Sequence, residues 1–470
     1  VPAFFPAHAD GEWIREDART ISQFGRGLIA DEKRTRILNG RLYSRLQQSV
    51  NVDKDAAGLL RDMGKQSPAI REKTSEIIST KTAGMDTAGL VAALETANKD
   101  ARTTCEWMLR AESLAQQSTE AVAEVVEDRT LARRLLGGID DVVFQRDALL
   151  QELSERFSIA EKSGKLENEV WWRRYKMDVE RFARQYGYSF RDAGDAADPS
   201  RWRSWVEDPD SVFRMIGAVS KLGNRPTLVT LHSAAKEDAA SAEAQALERL
   251  PAAKRPSLRK LLESTRGLLR ARSEAAQICA LTYSALRRLL VEYAGRLRQA
   301  GLIGSHDNIF YLSIDELLRL ADTPQNQNKQ ELAPKIALRK HEEWLERRLL
   351  PPERLPIGET EPIARAHGLC GTGASPGVVS GRARIISTVE EAGEMECGDI
   401  LVAASPGAAW TPFLAIAGGL VCETGSDLSP AAIFARVYGI PAILGSRGAT
   451  ITIKDGQRIT IDGATGAVSA

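Results

Sequence analysis

The segment PPERLPIGETE, residues 351–361, divides the chain into two parts with different hydrophobic periodicity, and no other feature constrains the fold as much. Its three prolines and one glycine follow no period, which predicts a linker and a domain boundary that few contacts cross. Before it, over residues 17–350, Ala, Leu, Arg, Glu and Gln predominate, and apolar residues recur at three- and four-residue spacing, the signature of helices. Leu286, Leu289, Leu290, Tyr293 and Leu297 form one such stripe, with Arg287, Arg288, Arg296 and Arg298 assigned to the opposite, solvated face. After the linker, short β-rich runs at 378–386 (VVSGRARII), 400–403 and 439–444 alternate with Gly/Pro turns and one helical stretch at 430–438. The expected fold class is therefore multidomain, α plus α/β. A large, mainly helical region spans 1–350, a linker 351–366 and a compact α/β domain 367–470.

At 470 residues the chain is long enough for several domains and a sizeable core. Basic and acidic side chains number 63 each, so there is no net basic field to hold a polyanion, and neither nucleic acid nor a membrane is expected as partner. The five cysteines (Cys105, Cys279, Cys370, Cys397, Cys422) are odd in number and scattered, with no CxxC pair; a reducing, cytoplasmic setting is expected, and no metal. The longest apolar stretch, about 408–422, falls short of the ~20 residues a membrane span needs and is broken by Pro412, Gly418 and Gly419. No signal-peptide pattern is seen.

Three blocks of the C-terminal part carry a family likeness: GTGASPGVVSGRARII (371–386), GDILVAASPGAAWTPFLAIAGGLVCETGSDLSPAAIFARVYGIPAILG (398–445) and IKDGQRITIDGATGAV (453–468). In order and spacing they resemble the mobile phosphohistidine domain of the family that includes pyruvate phosphate dikinase, phosphoenolpyruvate synthase and the rifampicin phosphotransferases, over residues 369–470. The family signature is Thr-x-x-Gly-Gly-x-x-Ser-His, followed by Ala-Ile, Ala-Arg and a Gly-Ile-Pro-Ala strand entry. The matching residues here are Cys422, Glu423, Thr424, Gly425, Ser426, Asp427, Leu428, Ser429 and Pro430, then Ala432, Ile433, Ala435, Arg436 and 439–442. Cys422 replaces the Thr, Ser426 the second Gly and Pro430 the histidine.

The resemblance implies a swivelling domain, yet phosphoryl transfer through such a domain needs an imidazole nitrogen as carrier, and proline has no side-chain nucleophile. The five histidines (His8, His232, His306, His341, His367) all lie outside the signature; His367, the nearest, reads as a surface residue at the linker edge. The local structure tolerates the change. Ser429 suits the N-cap and Pro430 the first helical position, where a missing N–H costs nothing. The helix N-terminus still favours an anion, although Asp427 and Glu423 oppose a phosphate.

Residues 171–317, in a region that looks rifampicin-binding-domain-like from about 166, resemble the helical substrate-binding domain of rifampicin phosphotransferase-like proteins. The matching points are Tyr186-Gly187, Arg191, Trp202, Asp208-Pro209, Arg272 with Glu274, and the run DNIFYLSIDEL (307–317). The resemblance implies a bulky, partly apolar small molecule enclosed beside the mobile domain. Tyr186, Arg191, Arg272 and Glu274 are the implied substrate contacts, joined by Thr424, Gly425, Ser429 and Arg436 around the helix start. The residues alone also allow a packing role: Trp171, Trp172, Tyr175, Trp202 and Trp205 as an aromatic cluster, Arg272 and Glu274 as an interhelical ion pair. The N-terminal third reads as helical, with no glycine-rich phosphate loop after a strand, so no ATP-grasp module is expected within it.

The functional expectation is a repurposed, pseudo-phosphotransferase enzyme. It binds its substrate between the helical and swivelling parts and performs ATP-independent dehydration, cyclisation or isomerisation in natural-product biosynthesis. Glu423, Asp427, Ser426 and Cys422 are the candidate catalytic residues, although Ser426 and Asp427 also suit a turn and Cys422 a buried apolar site. Lyase- or isomerase-type chemistry without a cofactor is expected, with a partner enzyme of the same pathway. A non-catalytic binding or regulatory role, and a phosphotransferase subunit served by a separate ATP-binding chain, remain the alternatives.

Overall fold

The computed structural model places residues 13–15, 35–38, 41–45, 52–80, 82–188, 204–207, 209–220, 227–322, 325–346, 354–355, 369–387, 391, 395–404, 406, 410–414, 416–425 and 429–469, and the description that follows is of these. The helical region contains α1 (Val52–Ser79), α2 (Thr87–Val126), α3 (Arg129–Leu135), α4 (Val142–Lys162), α5 (Glu169–Tyr186), α6 (Pro209–Val219), α7 (Leu228–Arg249), α8 (Arg255–Gln299), α9 (Ile314–Asp322) and α10 (Gln325–Glu346). Several starts are fixed by a side chain that accepts a backbone N–H of the first turn: Asp86 for α2, Asp128 for α3, Asp141 for α4, Asn168 for α5 and Thr227 for α7.

The 45-residue α8 is the axis of this region, and the 40-residue α2 runs against it. Small residues allow the approach. Ala97, Ala101, Cys105, Ala111 and Ala115 on α2 are buried, as are Ala271, Ala275 and Cys279 on α8. The Thr104 and Thr282 hydroxyls meet across this seam at 2.8 Å, and those of Ser118 and Thr265 at 2.5 Å. The sequence stripe Leu286, Leu289, Leu290, Tyr293 and Leu297 is buried, as its spacing predicts. Arg287 is not on the solvated face: it is 6% exposed, with its Nε 3.3 Å from Glu207 Oε1. A helix position next to the stripe is drawn inside when a neighbouring segment supplies a carboxylate.

The C-terminal part is an eight-stranded sheet in the order β5-β12-β11-β7-β8-β9-β10-β6. Its strands are β5 (Leu369–Cys370), β6 (Thr372–Ser375), β7 (Val378–Ile385), β8 (Ile400–Ala403), β9 (Gly419–Cys422), β10 (Ala442–Leu444), β11 (Arg458–Asp462) and β12 (Ala467–Ser469). Strands β7, β8, β9 and β10 pair in parallel, and β8, β9 and β10 are buried along their whole length, as expected of strands covered on both faces. One face (Ile400, Val402, Val421, Ile443) packs with Ile459, Ile461 and the short α13 (Ala449–Thr452). The other face (Leu401, Ala403, Leu420, Cys422) packs beneath α11 (Thr411–Leu414) and α12 (Pro430–Tyr438). The α plus α/β expectation holds, and α12 has the boundaries the sequence predicts.

That second face does not end at the domain boundary. Its apolar cluster continues through Trp410, Phe413 and Phe434 into Leu150, Leu153, Tyr175, Phe182, Trp205, Val212 and Ile216 of the helical region, giving one shared core. The sequence also gave no hint of a small antiparallel sheet of β1 (Trp13–Arg15), β2 (Thr35–Leu38), β3 (Arg41–Arg45) and β4 (Arg354–Leu355). β4 lies inside the segment read as a plain linker, and Leu355 and Arg354 pair with Trp13 and Ile14.

Candidate functional site

The head of α12 is built from the end of β9 upward. Glu423 and Thr424 continue the β8 pairing through N–H bonds to the Ala403 and Ala404 carbonyls, and the Thr424 hydroxyl also donates to Ala404 O at 3.1 Å. Gly425 then turns the chain with φ of 119°, a conformation that L side chains rarely adopt. Ser429 caps the helix, its Oγ accepting from Ala432 N, and Pro430 stands in the first turn. From the far side of this turn, Glu423 Oε1 accepts from the Thr450 N–H at 2.9 Å and from its hydroxyl at 2.6 Å, at the start of α13. Arg436 donates to Ala374 O at 3.0 Å and ties α12 to β6.

These contacts show where the described sequence candidates sit. Cys422 is fully buried within the sheet; burial first, and then the Glu423 charge, push its thiol far above the ordinary range, so it stays neutral. It fills the core position that the apolar reading of this residue allowed. Glu423 holds the α13 start, and Thr424, Ser429 and Arg436 make backbone bonds. Ser426 and Asp427 lie outside the described residues, as does Arg191 of the helical set.

In the helical region Tyr186 is 6% exposed, packed against Phe182, and accepts from Gln185 Nε2 at 3.1 Å. It belongs to the extended shared core that also holds Ala431, Phe434 and Ala435 of α12. Arg272 and Glu274 go elsewhere and do not pair with each other. Arg272 Nε lies 3.5 Å from Glu112 of α2, and Glu274 lies 3.4 Å from Arg71 of α1. The aromatic run is packing: Trp171 stacks on Tyr175 at 4.8 Å between centroids, and Trp205 on Phe182 at 5.9 Å, while Trp202 falls outside the described residues.

Where the two parts meet, sequence reading missed a charged pair. Arg146 and Asp147 of α4 are adjacent, 1% and 3% exposed, with Arg146 Nε 2.7 Å from Asp147 Oδ1. The Arg146 guanidinium lies over the Trp205 ring. Tyr438 at the end of α12 is close enough to feel both charges; burial first, then Asp147, raise its phenol, so it too stays neutral. No spacing rule flags two adjacent charged residues as buried.

A cavity of about 740 Å³ lies entirely within the helical region. Seven α8 residues line it at 284, 288, 291, 292, 295, 296 and 299, one face of the helix, opposed by Ile78, Met85, Tyr188, Glu207 and His306. The C-terminal part contributes none of its lining. Among the described residues no group of three metal-ligating side chains occurs, and no helix is long and apolar enough to cross a membrane.

The model of the PEP-utilising enzyme mobile domain matches residues 395–466. The rifampicin phosphotransferase of Streptomyces sviceus is 34% identical over 192 residues, 39% of this chain and 21% of that protein. The prodigiosin synthesizing transferase PigC of Serratia marcescens is 32% identical over 218 residues, 44% of this chain and 24% of PigC. The chondramide synthase cmdD of Chondromyces crocatus is 30% identical over 303 residues, 57% of this chain and 8% of the synthase. The chain thus spans 24% or less of the length of each of these relatives.

Proposed function

We propose that this chain, which belongs to the PEP-utilising enzyme family through its mobile domain, serves natural-product assembly by binding a bulky small molecule in its helical region without relaying phosphate. The observation that carries this reading is Pro430 in the first turn of α12, which the sequence resemblance aligns with the family's carrier histidine. A carrier must supply an unshared electron pair from a side chain, and two of the described neighbours are placed elsewhere: Ser429 Oγ is the helix cap and Cys422 is sealed in the sheet. The names of PigC and of the chondramide synthase support a natural-product setting.

The chemistry that fits this reading is ATP-independent tailoring, by elimination of water, cyclisation or isomerisation, which positioned acid and base groups can perform unaided. A specific observation also favours a non-catalytic binding role: Glu423 and Cys422 are both engaged structurally. Two measurements separate these readings. Incubation with labelled ATP or phosphoenolpyruvate, followed by mass spectrometry, is expected to leave the C-terminal domain unphosphorylated; an acid-labile phosphoramidate there would overturn the proposal. Incubation with pathway intermediates is then expected to give a product of unchanged mass or one differing by a water. Binding without turnover would assign the chain to the non-catalytic role.

A further inference from the structure

We propose that the cavity along α8 binds a small molecule that pairs a carboxylate with an apolar body, the carboxylate on Arg288 and Tyr188 and the body on Ile78, Met85 and Val291. This deepens the small-molecule reading above by naming the site and the ligand class. The volume of about 740 Å³ lies within the range of about 300–1,000 Å³ typical of small-molecule sites.

The argument for an acid is a charge inventory of the lining. Glu207 is satisfied by the Ser204 N–H and hydroxyl and by Arg287. Glu292 is paired with Arg296 at 3.1 Å, and the other contacts of Arg296 are the Thr82 and Met85 carbonyls. Arg288 differs. Its one hydrogen bond among the described residues is from Nη2 to the Thr80 carbonyl, and none of these residues gives it a carboxylate. Arg288 is therefore a lining guanidinium without a carboxylate among the described residues, and a guanidinium with remaining N–H groups is the natural receptor for a carboxylate.

Tyr188 completes the polar end. It is 7% exposed, lines the same cavity and lies within electrostatic reach of Arg288 and Arg184. Burial raises its phenol, so the hydroxyl keeps its proton and can donate at neutral pH. Ile78, Met85 and Val291 supply the apolar wall, and Val291 is 40% exposed, a large apolar side chain left uncovered on an otherwise well-packed helix. At Gly295 an added Cβ would come 3.7 Å from His306 Nε2, so the bare backbone there keeps that end of the cavity wide.

The test is a titration of the full chain with 4-phenylbutyrate, 4-phenylbutanamide and inorganic phosphate, read by ligand-observed NMR. The acid is expected to bind at least about tenfold more tightly than the amide, the shortfall being a lost charge-assisted hydrogen bond. Arg288→Gln should remove that preference while leaving the amide's binding and the melting temperature unchanged, Arg288→Lys should restore part of it, and Tyr188→Phe should weaken the acid by a smaller factor. Equal binding of acid and amide, an Arg288→Gln chain that still prefers the acid, no binding of the acid at millimolar concentration, or stronger binding of phosphate alone would each overturn the proposal. These outcomes are independent of the phosphorylation assay, so failure of the cavity assignment and failure of the phosphate-free reading are distinguishable.

Discussion

Arg146 and Asp147 are a buried ion pair made by neighbours in sequence, held where α4, Trp205 and the end of α12 converge. Asp147→Asn leaves the Arg146 charge without its carboxylate in a dry site, and the expected cost is about 3–5 kcal/mol of stability, measurable by urea denaturation. Arg146→Met combined with Asp147→Leu removes both charges and is expected to cost much less than the single change. A second charged site makes stability depend on pH. Burial opposes ionisation of Glu316, but bonds from Arg339, the Ser313 N–H and Lys335 outweigh it and hold the carboxyl at about 2. The folded value lies below the ordinary one of 4.5, so this stabilisation is fully present above that pH and is lost as the pH falls toward 2. Glu316→Gln is expected to cost on the order of 2 kcal/mol at neutral pH and to flatten the acid limb of a stability-against-pH curve.

At the scale of an element, α12 shows how a helix accommodates a proline in its first turn. Proline in the first turn gives up only an N–H that has no intrahelical partner, and Ser429 keeps the cap. Pro430→His is thus expected to fold, with a stability change of less than about 1 kcal/mol, whereas Ser429→Ala should cost about 1 kcal/mol through the lost cap. Thermal melts of the two variants compare these values directly. The same helix is anchored at its other end by the αL residue Gly439 and through Arg436 to Ala374 O, so its frame depends little on residue 430.

At the scale of the whole molecule, an apolar cluster is shared by the mobile domain and α4, α5 and α6, so the two parts are expected to unfold as one cooperative unit. Phe413 on α11 is 2% exposed at this junction, and Phe413→Ala is expected to cost about 3–5 kcal/mol. Chemical denaturation followed both by tryptophan fluorescence and by hydrogen exchange of β8 and β9 checks the cooperativity. One coincident transition is expected in the parent chain, and an earlier, separate release of the C-terminal sheet in the variant.

Periodicity determined the parts that depend on neighbours in sequence. The helical stripe at 286–297, the buried strand at 400–403 and α12 with its cap are all legible because each is set by local spacing and turn chemistry. The proline at 430 is equally local, a first-turn residue behind the Ser429 cap. The tertiary structure decided the rest. It put Arg287 inside beside Glu207, divided Arg272 and Glu274 between α2 and α1, sealed Cys422 in the sheet, and drew Arg354 and Leu355 into pairing with Trp13 and Ile14. It also opened a cavity along α8. Each of these outcomes turns on a partner tens to hundreds of residues away. A side chain's burial and charge state follow from what faces it in space, and sequence spacing describes only the element on which it sits.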